Sequence, residues 1–240
     1  NSGKHEITGG LAFDLQTFKT RALSAIIFVV VMLGAIFYSI NSFIILFLIV
    51  HTGCYIEYHK LVKKTPTIHT STAKVLYDLF GLAYMTISFF AITHLASAHW
   101  AAVLGTTQYY VLPMLVIVSI WINDTMAYVV GSFIGKTPLS VVSPKKTWEG
   151  TIGGALLAVV AVVLLGREFT NLSYQTLVIV SATAAITGTI GDLIESKFKR
   201  MAGVKDSGNI LPGHGGFFDR FDSLLLAGPS VWLMLTLFTQ

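Results

Sequence analysis

Apolar positions in this chain fall in long, nearly unbroken runs, without the polar–apolar alternation of a strand. Seven runs stand between clusters of polar, Gly, Pro or Asn residues, at 22–40, 43–58, 75–98, 109–131, 150–166, 176–194 and 221–238. Runs of this length, at 1.5 Å per helical residue, suit a hydrocarbon core about 30 Å thick. Backbone polar groups must be satisfied internally in lipid, so the spans are expected to be helices. The pattern therefore predicts an all-α, polytopic integral membrane protein of about seven transmembrane helices. Ser39, Asn41 and Ser42 mark a tight turn that makes the first two spans a hairpin. Residues 100–107 form a short uncharged connection, and residues 1–20 read as a polar tail, flexible or left over from expression, without the features of a signal peptide.

Composition agrees with this reading. Hydrophobic residues make up 54% of the 240 and charged residues 12%, against about 25% charged in a soluble domain. The single cysteine, Cys54, lies inside an apolar run and reads as packing. A net charge of +4 would suggest nucleic acid as partner in a soluble protein, but topology explains it first. Fifteen of the sixteen Lys and Arg residues fall in alternate connections, and only Arg167 falls on the other side. By the positive-inside rule the N terminus and every basic loop are cytoplasmic. No repeat or linker divides the rest, so residues 21–240 are read as one membrane-embedded domain.

Two polar loops, 136–149 and 196–220, then share the cytoplasmic side with soluble nucleotides and Mg²⁺. A helix continuing through Arg200 places Asp192, Glu195, Ser196 and Lys199 on one face, because steps of three and four bring side chains together. An acid at the membrane end of an apolar helix marks a functional site or a paired surface contact. Asp219 and Asp222, three apart at the start of the last span, are either a pair favoured by the helix dipole or partners of Asp192 around a metal. Glycines from Gly208 to Gly216 allow backbone N–H groups to approach an anion. His214 reads as a phosphate contact rather than a general base. Lys145 and Lys146 are phosphate contacts or ordinary topology residues, and Asn123-Asp124 is a second intramembrane polar site or a pair buried between helices.

Four stretches carry a resemblance. Ser-x-Phe-Lys-Arg-x4-Lys-Asp-x-Gly begins at Ser196, Leu-Pro-Gly-His-Gly-Gly-x2-Asp-Arg-x-Asp ends at Asp222, and Trp121-x2-Asp124-x2-Ala127-Tyr128 lies upstream with the Ser143-Pro144-Lys145-Lys146 loop. Together they resemble the phosphatidate cytidylyltransferases over residues 120–223, with residues 192–222 as the catalytic signature. Earlier spans match only in being apolar, with Glu57 as a further candidate match. The chain departs from longer members in having room for only two spans between Lys64 and Trp121.

The resemblance implies transfer of the cytidylyl group of CTP to phosphatidate, giving CDP-diacylglycerol and pyrophosphate in phospholipid biosynthesis. It implies Asp192 and Asp219 as metal ligands, with Glu195, Asp222, Ser196 and Asp124 as further candidates around the metal, and Ser196 and Lys199 in the catalytic set. Phosphate contacts would come from Lys145, Lys146, Lys199, Arg200, Lys205, His214 and Arg220. The implied cofactor is Mg²⁺, with a second cation left open. CTP, phosphatidate and the bilayer are the implied partners, nucleic acid is not one, and a homodimer is left open. The implied location is a bacterial inner membrane. A CTP-dependent lipid or polyprenol kinase is the nearer alternative, and an ion-coupled transporter the alternative of another class. A CDP-alcohol phosphotransferase would need an Asp-Gly-x2-Ala-Arg motif, which the chain lacks.

Overall fold

Helix is the only extended structure that satisfies a lipid-exposed backbone segment by segment, and each of the seven apolar runs is helical. The computed structural model of the chain describes residues 15–106, 108–210 and 215–239, with backbone alone for 15–21. The helices are α1 (Leu15–Tyr38), α2 (Ile40–Lys64), α3 (Ser71–Leu95), α4 (Ala98–Leu104), α5 (Val111–Ile134), α6 (Trp148–Phe169), α7 (Tyr174–Met201) and α8 (Phe218–Phe238). Among the described residues, α2, α3, α5, α6, α7 and α8 are long and apolar enough to cross a membrane. Over the residues described with side chains, the first run gives a shorter apolar stretch, Ala22–Tyr38.

Helix ends lie where short polar residues can cap them. The predicted hairpin turn is a capping box, in which Ser39 Oγ accepts from Ser42 N–H at 3.1 Å and Ser42 Oγ accepts from Ser39 N–H at 3.0 Å. Thr70, Thr147 and Ser173 cap α3, α6 and α7 by accepting from one first-turn N–H each. The uncharged connection holds α4. Its Trp100 donates to His94 Nδ1 at 3.1 Å, and Trp232 of α8 donates to the same atom at 3.0 Å, so α3, α4 and α8 are clasped together.

The loop 136–149 is more ordered than a connection needs to be. Strands β1 (Pro138–Ser140) and β2 (Ser143–Thr147) pair antiparallel with an irregular register. Glu149, in the first turn of α6, accepts from the N–H groups of Lys136 and Thr137 and from Thr137 Oγ1, which pins the hairpin to its helix. The fold is thus all-α in its spans, with one small strand pair among the described residues.

Neighbours in the bundle run α1, α2, α3, α8, α7, α6, α5, and α5 closes back onto α7 and α8. Phe43, Phe47, Met85, Val116, Leu177 and Val231 fill the interior. Leu48, Phe80, Ile87, Leu156, Leu164 and Leu233 are exposed, as lipid-facing residues are. On α6, Gly150, Gly154 and Ala158 are buried and let the backbone lie close to α5. Pro229, inside α8, has no N–H to donate to Leu225 O one turn earlier, and Ser88 Oγ of α3 donates to that oxygen instead.

At 28 residues α7 is about 42 Å long, longer than a hydrocarbon core of about 30 Å. Asp192, Glu195, Lys197, Lys199 and Arg200 fall in its last turns, so its C-terminal end is the polar one. Helix ends carrying basic residues, those of α2 and α7, lie on that side. Tyr58 Oη donates to Tyr77 O across the α2–α3 connection, and Lys146 of the hairpin reaches Asp192. Arg167, at the other end, donates to Leu172 O at 2.9 Å and lies over the Tyr174 ring.

Candidate active site

Three carboxylates meet where α7 and α8 approach most closely. A Cβ on Gly191 would lie 2.6 Å from Asp222 O, so glycine there permits the approach. Asp192 and Glu195 from α7 and Asp222 from α8 thereby bring one ligand oxygen each within 4.8 Å of one another. Asp192 is partly exposed and Glu195 is buried. Lys199 Nζ stands 2.6 Å from Glu195 Oε2, whereas Glu195 Oε1 is buried with no hydrogen-bond partner among the described residues. A buried carboxylate oxygen without a donor is costly. Three hard oxygen donors around such an atom fit a cation such as Mg²⁺ or Ca²⁺, and the cluster could hold a metal ion.

Lys146 of β2 pairs with Asp192 Oδ2, and Ser196 Oγ lies 3.5 Å from Asp192 Oδ1. The helical stripe expected from spacing is therefore real, but its partners are divided. Asp192 faces the hairpin, whereas Lys199 bridges Glu195 and Asp219 Oδ1, the latter at 2.8 Å.

Asp219 occupies a different place from Asp222. Its Oδ2 accepts from Ser207 N–H and Gly216 N–H, both at 2.8 Å, and its Oδ1 is held by Lys199. Oδ2 ties the glycine-rich segment to α8, and Oδ1 ties α8 to α7 through Lys199. The acid expected first beside Asp192 is thus a loop anchor in this geometry, and Glu195 and Asp222 stand nearer Asp192.

A cavity of about 600 Å³ opens beside the carboxylates. Asp124, Lys145, Lys146, Asp192, Asp219, Arg220 and Asp222 line its polar part. Phe28, Met32, Ile117, Trp121, Phe221 and Leu224 line the rest, from α1, α5 and α8. One chamber therefore offers charge at one wall and apolar surface at the other. Arg200 lies outside that lining and donates to Val204 O at 3.2 Å, and Lys205 is exposed outside it as well. His214 lies outside the described residues.

The sequence offers no role for Ser207 or Thr189, and for Asn123 it offers a polar site or a pair buried between helices. Asn123 donates to Thr189 Oγ1 at 3.2 Å inside the bundle and holds α5 to α7 beside the cavity. Glu57 was noted without a chemical role. A lone acid within an apolar span was the signal available for it.

Residues 70–238 match the family described as the cytidylyltransferase family. Curated relatives include the phosphatidate cytidylyltransferase of Staphylococcus haemolyticus (strain JCSC1435), 41% identical over 65% of this chain and 57% of that protein. The phosphatidate cytidylyltransferase of Bacillus subtilis (strain 168) is 44% identical over 51% of this chain and 46% of its own length. That of Staphylococcus aureus (strain COL) is 45% identical over 48% of this chain and 45% of its own. The chain spans about half the length of these curated relatives. With a match over most of its helices and the acidic cluster within the matched residues, the chain belongs to the cytidylyltransferase family.

Proposed function

We propose that this protein transfers the cytidylyl group of CTP to phosphatidate. The observation that carries the reading is the two-faced cavity, with a carboxylate trio and lysines at one wall and apolar side chains at the other. A nucleoside triphosphate and a lipid need those two walls together. The relatives' names point to the same pair of substrates.

In the proposed reaction a phosphate oxygen of phosphatidate attacks the α-phosphorus of CTP, and the bond to the β-phosphate oxygen breaks to release pyrophosphate. A phosphomonoester has its second pKa near 6, so it is largely dianionic at neutral pH and requires no general base. Asp192, Glu195 and Asp222 would hold Mg²⁺, which supplies charge neutralisation to the phosphate oxygens. Lys145, Lys146 and Arg220 line the same wall and hold the phosphates in line by charge. Lys199 keeps Glu195 and Asp219 apart as a fixed counter-ion. Phe28, Met32 and Leu224 accept the acyl chains. No step requires a second copy of the chain. The basic ends of the helices and the demand for CTP support a cytoplasmic-facing site, in a bacterial inner membrane.

The test supplies the purified chain with CTP, phosphatidate and Mg²⁺. CDP-diacylglycerol and pyrophosphate are expected, and chelation should abolish both. Release of CDP with a newly phosphorylated lipid would replace the reading by a kinase, and no turnover with any lipid acceptor would reject it.

A further inference from the structure

Glu57 lies near the end of α2, outside the residues that match the family, and is only 2% exposed. A buried carboxylate in an apolar helix is expensive unless donors converge on it. Here the donors come from far along the chain. Phe217 N–H donates to Oε1 at 3.1 Å, and Phe218 N–H and Ser207 Oγ donate to Oε2 at 2.9 and 2.7 Å. The backbone is moulded around the acid, because a Cβ on Gly216 would lie 2.1 Å from Oε2.

Ser207 links this acid to the site. Its N–H donates to Asp219 Oδ2, which leaves its single hydroxyl proton for Glu57. Asp219 in turn holds Lys199, and Lys199 holds Glu195 of the carboxylate trio. A continuous series of bonds therefore runs from α2 to the metal-ligand candidates.

We propose that Glu57 is a positioning residue, which fixes the two described ends of the glycine-rich segment and, through Ser207 and Asp219, the Lys199–Glu195 pair. The inference rests on the reading above, in which the carboxylate trio holds Mg²⁺ against the phosphates of CTP. An acid from a helix outside the family match thus sets the nucleotide side of the site.

Two variants test it, Glu57→Gln and Ser207→Ala, each compared with the native chain in lipid. Glutamine keeps the size of Glu57 but turns an NH₂ group towards donors. Loss of a hydrogen bond to a charged group corresponds to roughly a 10-fold effect or more. The KM for CTP should rise by about that factor, with the KM for phosphatidate unchanged. Hydrogen exchange at the Phe217 and Phe218 amides should quicken, while exchange in the β1–β2 hairpin stays as in the native chain. The double variant should be no worse than Glu57→Gln alone, because both changes cut one tie. A fall in kcat alone, in proportion to folded protein lost, with native KM values and native exchange, would overturn the proposal. If Glu57→Gln does not fold, Ser207→Ala carries the same expectations. If the native chain fails to use CTP and phosphatidate, the reaction reading falls separately, and native exchange at Phe217 and Phe218 in either folded variant still rejects the placement of Glu57.

Discussion

Glu195 has one oxygen against Lys199 and the other without a donor among the described residues, an arrangement that a cation completes. Glu195→Gln keeps the shape and removes the charge. Lewis-acid stabilisation is worth several kcal/mol, so kcat should fall by at least about 100-fold. Mn²⁺ binding to the purified chain, followed by electron spin resonance, should weaken in parallel. Native Mn²⁺ affinity in this variant would remove Glu195 from the ligand set. Asp219 predicts the opposite pattern. Its oxygens already have three donors, so Asp219→Asn should lower stability in detergent by about 1–3 kcal/mol and leave Mn²⁺ affinity unchanged. Weakened Mn²⁺ binding would return Asp219 to the ligand set. Sequence alone could not separate Asp219 from Asp222, since both lie at the start of one helix and only the path of the loop decides which is consumed by its anchoring. Asp192, Glu195 and Ser196 were legible because helical periodicity needs no tertiary information.

Among the elements, α8 depends on a neighbour to repair its own interruption. Ser88→Ala would leave Leu225 O facing Pro229 without a donor, deep between α3 and α8. Thermal unfolding in detergent should show a loss of about 1–3 kcal/mol, the cost of an unsatisfied buried group, and a native unfolding temperature would mean that water or backbone adjustment fills the role. The hairpin depends on Glu149 in a similar way. Glu149→Ala should quicken exchange at the Lys136 and Thr137 amides and reduce turnover by releasing Lys145 and Lys146 from their place, whereas native exchange would show that strand pairing alone suffices. Span edges and the Ser39 turn followed from the hydrophobic pattern, because capping is local. The strand pair did not, because Ser143-Pro144-Lys145-Lys146-Thr147 has no alternation to declare it. Its order comes from the Glu149 carboxylate, a contact that spacing does not reveal.

For the molecule as a whole, the division of basic residues predicts a single orientation. Cys54 is buried, so a cysteine placed at Val141, 96% exposed at the hairpin, can be labelled on its own from the cytoplasmic side. One placed at Asn171, between α6 and α7, should react only from the opposite side. Reaction of both from one side would break the orientation. Long-range closure was the part hidden from the sequence. Glu57 and Phe218 lie 161 positions apart and meet only because α2, α3 and α8 pack side by side. The length of α7 has a mechanical corollary. Its apolar turns are embedded while its acidic turns carry two of the three clustered carboxylates, so the depth at which the bilayer ends sets how far those groups are pulled into oil or left in water. A membrane that is too thick would drag the carboxylates under, and one that is too thin would force α7 to tilt against α8 and part the trio. In vesicles of graded acyl length, turnover in the proposed reaction should accordingly pass through a maximum, which would make the width of the surrounding membrane itself a regulator of its rate.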